Sequence, residues 1–175
     1  MNLDDKEQTL PQELVTTLFN AKFSDLSLPD TNDQLNRFSE HCAKRNINGK
    51  LIFMNMKLGI KFATVLADML FEHPSLRVTH INLERNLLGD AGAIEIVKAI
   101  SDSQVIIALN LSSNEIKPKG VNQIFNMLMS NESLQELTIG TTEGAMNLVN
   151  KSTRKVLEKF VVENQFLTVL SMRGM

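Results

Sequence analysis

Tryptophan and tyrosine are absent from the 175 residues, cysteine occurs once and proline four times. Losing Trp and Tyr removes two of the three residue types that most often anchor protein interfaces. A binding surface on this chain must therefore work through other side chains. A lone Cys42 excludes an internal disulfide and is the usage of a reducing, cytoplasmic setting. Charge of either sign is also scarce in the net: the formal balance is −2, too small to draw nucleic acid, a lipid surface or an acidic substrate. No apolar run reaches the roughly 18 residues of a membrane helix. The opening "MNLDDKEQTL" is acidic and polar, unlike a signal or transit peptide. These absences predict no nucleic-acid partner and no membrane partner. What is present is the composition of a globular chain, 43% hydrophobic and 22% charged, at a length that can bury a sizeable core.

The chain repeats itself. "INLERNLLGDAG" (81–92) and "LNLSSNEIKPKG" (109–120) align with Leu83 on Leu111, Asn86 on Asn114 and Gly92 on Gly120, always 28 residues apart. The shared pattern is apolar-x-x-apolar-x-apolar-x-x-Asn-x-apolar. Val78, Ile81, Leu83, Asn86 and Leu88 fill it, as do Ile106, Leu109, Leu111, Asn114 and Ile116. Leu134, Leu137 and Ile139 begin a further unit, with Thr142 where the Asn belongs. Upstream, Leu51, Met54 and Met56 are expected to form a strand with Gly59 in the Asn place, and Phe23, Leu26 and Leu28 another. Leu167, Leu170 and Met172 open a last one.

Helical periodicity follows most of these strands. It is carried by Leu35, Phe38 and Cys42, by Val65, Leu66, Met69 and Leu70, by Ile94, Val97 and Ile100, by Val121, Ile124, Phe125 and Leu128, and by Val156, Leu157, Phe160 and Val161, with Ser152 as cap. Alternate strand side chains face one way, so Ile81 and Leu83 should point at the helix of their own unit. One unit cannot bury that face alone, and stacked units can. An Asn amide, donor and acceptor at once, suits a turn where the backbone leaves the ladder.

With these residues the chain resembles the leucine-rich repeats of ribonuclease-inhibitor type, most clearly over Val78–Ile139. The resemblance implies an α/β fold. It would be a leucine-rich-repeat solenoid, a curved horseshoe fragment of about five to six repeats, with a parallel sheet on the concave side and helices on the convex side. The expected organisation is an N-terminal capping helix over 1–22, with Thr9 as its cap and Pro11 in the first turn. Repeats then lie near 23–50, 51–77, 78–105, 106–133 and 134–166, and a partial one over 167–175. A strand at "LTVLSMRGM" with no capping helix after it leaves two expectations, that the chain is part of a longer protein or that this edge pairs with something, as edge-mediated assembly at the C-terminus.

The resemblance also implies a non-catalytic scaffold or adaptor that binds a protein partner through the concave face and its loops. Three columns should line that face: Asp25, Phe53, His80, Ala108, Glu136 and Val169; Ser27, Asn55, Asn82, Asn110, Thr138 and Ser171; Pro29, Lys57, Glu84, Ser112, Gly140 and Arg173. A solvated sheet face is the plain interpretation, and a hydrogen-bonding platform the functional one. On the latter the contact residues are Phe53, Asn55, Lys57, His80, Asn82, Glu84, Arg85, Asn110, Ser112, Glu136, Thr138 and Arg173, with Phe53 foremost as the large aromatic. The irregular stretch 140–155 and its basic set Lys151, Arg154, Lys155 and Lys159 have solvated readings as well as functional ones.

Other roles stay open beside the scaffold. They are a structural subunit docking through the C-terminal edge, a GTPase activator of the Ran-activator type with Arg85 as the positioned arginine, and a bacterial effector acting in a host cell. Catalytic chemistry is thinly represented. His41 and Cys42 are adjacent and so diverge on a helix. His41, His73 and His80 have no metal-ligand spacing, "DTNDQL" from Asp30 lacks the calcium-loop Gly, and "NLLGDAG" is neither a phosphate nor a dinucleotide loop. No enzyme activity, cofactor or metal is expected.

Overall fold

Five three-residue strands form one parallel sheet in strict chain order in a computed structural model that describes residues 8–27, 31–144 and 146–175. Helices α1 (Gln12–Leu26) and α2 (Asn32–Arg45) precede β1 (Lys50–Ile52). Then follow α3 (Ile60–Glu72), β2 (His80–Asn82), α4 (Gly89–Ile100), β3 (Ala108–Asn110), α5 (Pro118–Met127), β4 (Glu136–Thr138), α6 (Lys151–Glu163) and β5 (Val169–Ser171). Each helix from α3 onward packs on its sequence neighbour, and α1 packs on α3. Among the described residues no helix is long and apolar enough to cross a membrane.

The expected alternation is observed. Leu51, Ile81, Leu109 and Leu137 are buried at the strand centres, and Phe53, Leu83, Leu111 and Ile139 just beyond them. Between helix and strand lies one continuous core. The helix faces are close to those the periodicity marks: Val121, Ile124 and Phe125 are buried on α5, and Leu128 at its C-cap. On α4 the buried face is Ala93, Ile96, Val97 and Ile100, with Ile94 only partly covered, and on α6 Val161 is 61% exposed. Asn150, not Ser152, caps α6, in a capping box with Thr153. Gly120 permits a close approach, since a Cβ there would strike the Asp90 carboxylate that accepts from Lys117 N.

Two expected strands are corrected. Phe23 and Leu26 belong to α1, as do residues on both sides of the 22/23 boundary; Leu28 and Pro29, like Asp30 and residues 1–7, lie outside the described residues. Pro11 occupies the N-cap position of α1, while Thr9 bridges to Ile47. Asp25 and Ser27 are therefore not sheet residues. Asp25 instead accepts from Lys61 N (3.0 Å) and Phe62 N (2.9 Å), capping α3 from a neighbouring helix, and Ser27 ends α1 with φ 51°.

The second correction concerns β1, where Leu51 pairs with Ile81 and Ile52 with Asn82. The spacing there is 30 residues, so the inward side chains are Leu51 and Phe53, and Met56 takes the Asn place. Gly59 is the N-cap of α3.

Candidate functional site

The sheet face away from the helices carries two rows set by strand register. Lys50, His80, Ala108, Glu136 and Val169 form one; Ile52, Asn82, Asn110, Thr138 and Ser171 form the other. At Ala108 the row has only a methyl group. An open hollow of about 290 Å³ lies there, lined by His80, Asn82, Asn110, Glu136 and Thr138 among others. These five predicted contact residues come together as expected. Lys50 and Ile52 also line the hollow, and the sequence columns missed both because of the β1 register.

Of the other predicted contacts Phe53 is corrected, and Asn55, Lys57 and Arg173 lie on loops beside the strands. Phe53 is fully buried, 6.4 Å from Phe38 and edge-on to Phe62 at 5.2 Å between ring centroids. It cannot meet a partner, because the side chain that follows the strand centre by two points into the core. Asn55 and Lys57 lie in the turn after β1, with φ 58° and 54°. Arg173 is exposed beyond β5, where its carbonyl accepts from Thr141 N at 2.7 Å.

The irregular stretch after β4 is a strap. Thr142 Oγ1 donates to Glu84 Oε1 at 2.8 Å, Thr142 N donates to Ser113 Oγ at 2.9 Å, and Glu143 pairs with Arg85 at 3.3 Å. Asn110 Nδ2 holds the other Glu84 oxygen at 3.0 Å. Ser112 is buried with its hydroxyl unbonded, so it is not a contact residue. Glu84 and Arg85 are engaged within the chain, and the carboxylate of Glu143 occupies the guanidinium that a GTPase-directed arginine would have to offer.

The Asn missing at Thr142 is supplied five residues later. Asn147 Nδ2 donates to Leu111 O (2.9 Å) and Ile139 O (2.8 Å), and its Oδ1 accepts from Asn114 N and Ile116 N. Asn114 and Asn86 make the equivalent bonds one and two strands earlier. The strap is therefore an insertion hung between two intact structural features.

His41 and Cys42 diverge as expected. His41 Nε2 meets Ile52 O at 3.2 Å, and burial lowers its pKa against a smaller opposing effect of that bond. Cys42 is buried, and burial pushes its thiol up to about 12; a thiol so protonated is a poor nucleophile. The basic residues of α6 are exposed, with Arg154 and Lys159 paired to Glu158 and Glu163. Among the described residues no group of three or more His, Cys, Asp or Glu is placed to hold a metal.

Residues 103–124, spanning β3 and the start of α5, match the family model described as leucine rich repeat. The match supports a leucine-rich-repeat protein. A search of curated proteins gives no match. Among solved structures the leiomodin-1 actin-binding site 2 superposes with a TM-score of 0.63 at 23% identity, over 71% of this chain and 70% of that one. At that identity the likeness speaks for the fold. It agrees with a mixed α/β leucine-rich-repeat-type chain carrying a parallel sheet and six helices.

Proposed function

We propose that this chain is a non-catalytic protein–protein interaction scaffold or adaptor of ribonuclease-inhibitor type. In this reading it is a curved solenoid whose α1 and α2 close one end and whose strand–helix units carry the contacts. The partner is a protein seated on the concave sheet face and its loops, in the cytoplasm. The observation that carries the proposal is the open hollow at Ala108, ringed by His80, Asn82, Asn110, Glu136 and Thr138. Short polar side chains over a rigid sheet are a preorganised hydrogen-bonding surface, and a concavity of this size admits a partner side chain. Actin, which the name of the leiomodin fragment gives as its ligand, is the first partner to test.

The test is Ala108→Arg, which fills the hollow from a half-covered position without touching the core. Binding to a purified partner, actin or one recovered by affinity capture, should weaken at least tenfold. Lys98→Glu on the exposed side of α4 should leave it unchanged. Full binding by Ala108→Arg alongside loss in Lys98→Glu would move the site to the helices.

A second reading, a structural subunit docking at the β5 edge, is supported by a separate observation. Val161, Val162, Phe166 and Val169 are exposed across α6, the turn after it and β5, Val162 at 78%. Exposed apolar side chains in this number favour docking of another element. Val162→Asp should then lower the assembly mass seen by sedimentation. An unchanged mass for wild type and variant at monomer value would exclude this edge.

A further inference from the structure

We propose that the row Lys50–His80–Ala108–Glu136 selects an extended partner segment carrying one acidic and one basic side chain three to four residues apart; this rests on the sheet-face reading above. Register places the four residues side by side on adjacent strands. Strands lie about 4.8 Å apart, so Lys50 and Glu136 are separated by about 14 Å. An extended peptide advancing about 3.3 Å per residue covers that distance in about four residues, or three when side chains lean inward.

The two ends of the row differ in chemistry. At the β1–β2 end stand donors. Lys50 is exposed, and among the described residues its ammonium has no ion pair. Asn82 has its carbonyl oxygen taken by Glu84 N at 2.9 Å, which leaves its NH2 to donate. His80 Nδ1 meets the Thr79 hydroxyl at 2.9 Å, and the donors of this end are the Lys50 ammonium and the Asn82 NH2. At the β4 end stands an acceptor, the exposed Glu136, likewise without an ion pair among the described residues. The other acid of the face, Glu84, is closed to a partner because Asn110 and Thr142 hold both its oxygens. Between the ends the Ala108 hollow takes the intervening side chain. Single exposed ion pairs contribute little affinity, but two of opposite sign at a fixed separation set orientation and register.

The experiment pans a library of random 12-residue peptides on the purified chain and on two single variants, Lys50→Glu and Glu136→Lys. Both positions are exposed, and thermal melts confirm folding of each variant. Wild type should enrich peptides with an acidic and a basic residue separated by two or three positions. Glu136→Lys should enrich acids at both positions, and Lys50→Glu bases at both. A synthetic peptide from the wild-type pool should bind either variant at least tenfold more weakly. Recovery of the same composition from all three proteins, or no enrichment on wild type, overturns the proposal. So does a preferred separation of about nine residues, which would mark a helical ligand. The two readings fail separately. If Ala108→Arg abolishes partner binding while the charge swaps leave it intact, the sheet face stands and the charge rule falls; if Ala108→Arg has no effect, both fall.

Discussion

Phe53→Ala should lower the unfolding free energy by about 3–5 kcal/mol, the range for deleting a fully buried aromatic. The ring is 0% exposed, and it joins two parts of the core. On one side it stacks with Phe38 of α2, which in turn meets Phe19 of α1 at 5.8 Å; on the other it meets Phe62 of α3 edge-on. Truncation leaves a void that the three helix-anchored rings cannot close without moving α1 and α2. Since a domain of this size is stable by roughly 5–15 kcal/mol, the loss is a large share of the total. Urea unfolding measures it as a lower midpoint at unchanged slope. Phe53→Leu, which keeps most of the volume, should lose much less. Were Phe53 a surface contact, Phe53→Ala would shift the midpoint by under about 0.5 kcal/mol, and the β1 register given above would be wrong.

The same residue shows what could be seen in the sequence and what could not. Over 78–139 two repeats that fill the whole pattern mark strand, turn and helix, and the observed pairing of Ile81 with Leu109, and of Leu109 with Leu137, follows them. At β1 the unit lies 30 residues before β2, not the 27 that Leu51, Met54 and Met56 suggest, and those three positions turn Phe53 from the open face into the core. A one-residue error in a strand inverts every side chain, and so does an error of three. The correct register has its own signature: Leu51, Phe53 and Leu58 carry the spacing of Ile81, Leu83 and Leu88. Likewise "NLV" at 147–149 carries the Asn-x-apolar step of Asn86–Leu88 and Asn114–Ile116, displaced by the insertion. The strap itself had no such signal. Contacts from Thr142 and Glu143 to Glu84 and Arg85 join residues nearly sixty apart through side chains alone. No periodicity encodes that, nor which of the face's two acids has its carboxylate held within the chain.

Asn114→Ala should destabilise by about 2–3 kcal/mol. Asn114 is fully buried; its Nδ2 donates to Leu83 O (2.9 Å), Leu111 O (3.0 Å) and Ser112 O (3.1 Å), and its Oδ1 accepts from Asn86 N at 3.2 Å. A buried polar group left without a partner costs about 1–3 kcal/mol, yet the four bonds are not four such losses. Leu83 O also accepts from Asn86 Nδ2 at 2.8 Å, and Leu111 O from Asn147 Nδ2 at 2.9 Å. A carbonyl has two lone pairs, so each of these keeps one partner when Asn114 is lost, and the Asn86 N–H is the group orphaned outright. That sharing predicts a coupling. In Asn86→Ala/Asn114→Ala, Leu83 O loses both side-chain donors, so the double variant should be destabilised by about 1 kcal/mol more than the sum of the singles. Denaturant melts of the four proteins measure the cycle. Strict additivity would mean that the asparagines act as separate turn fasteners; a coupled loss means that they form one ladder running across the sheet from Phe53 to Ile139, in which each amide secures its neighbour's turn as well as its own.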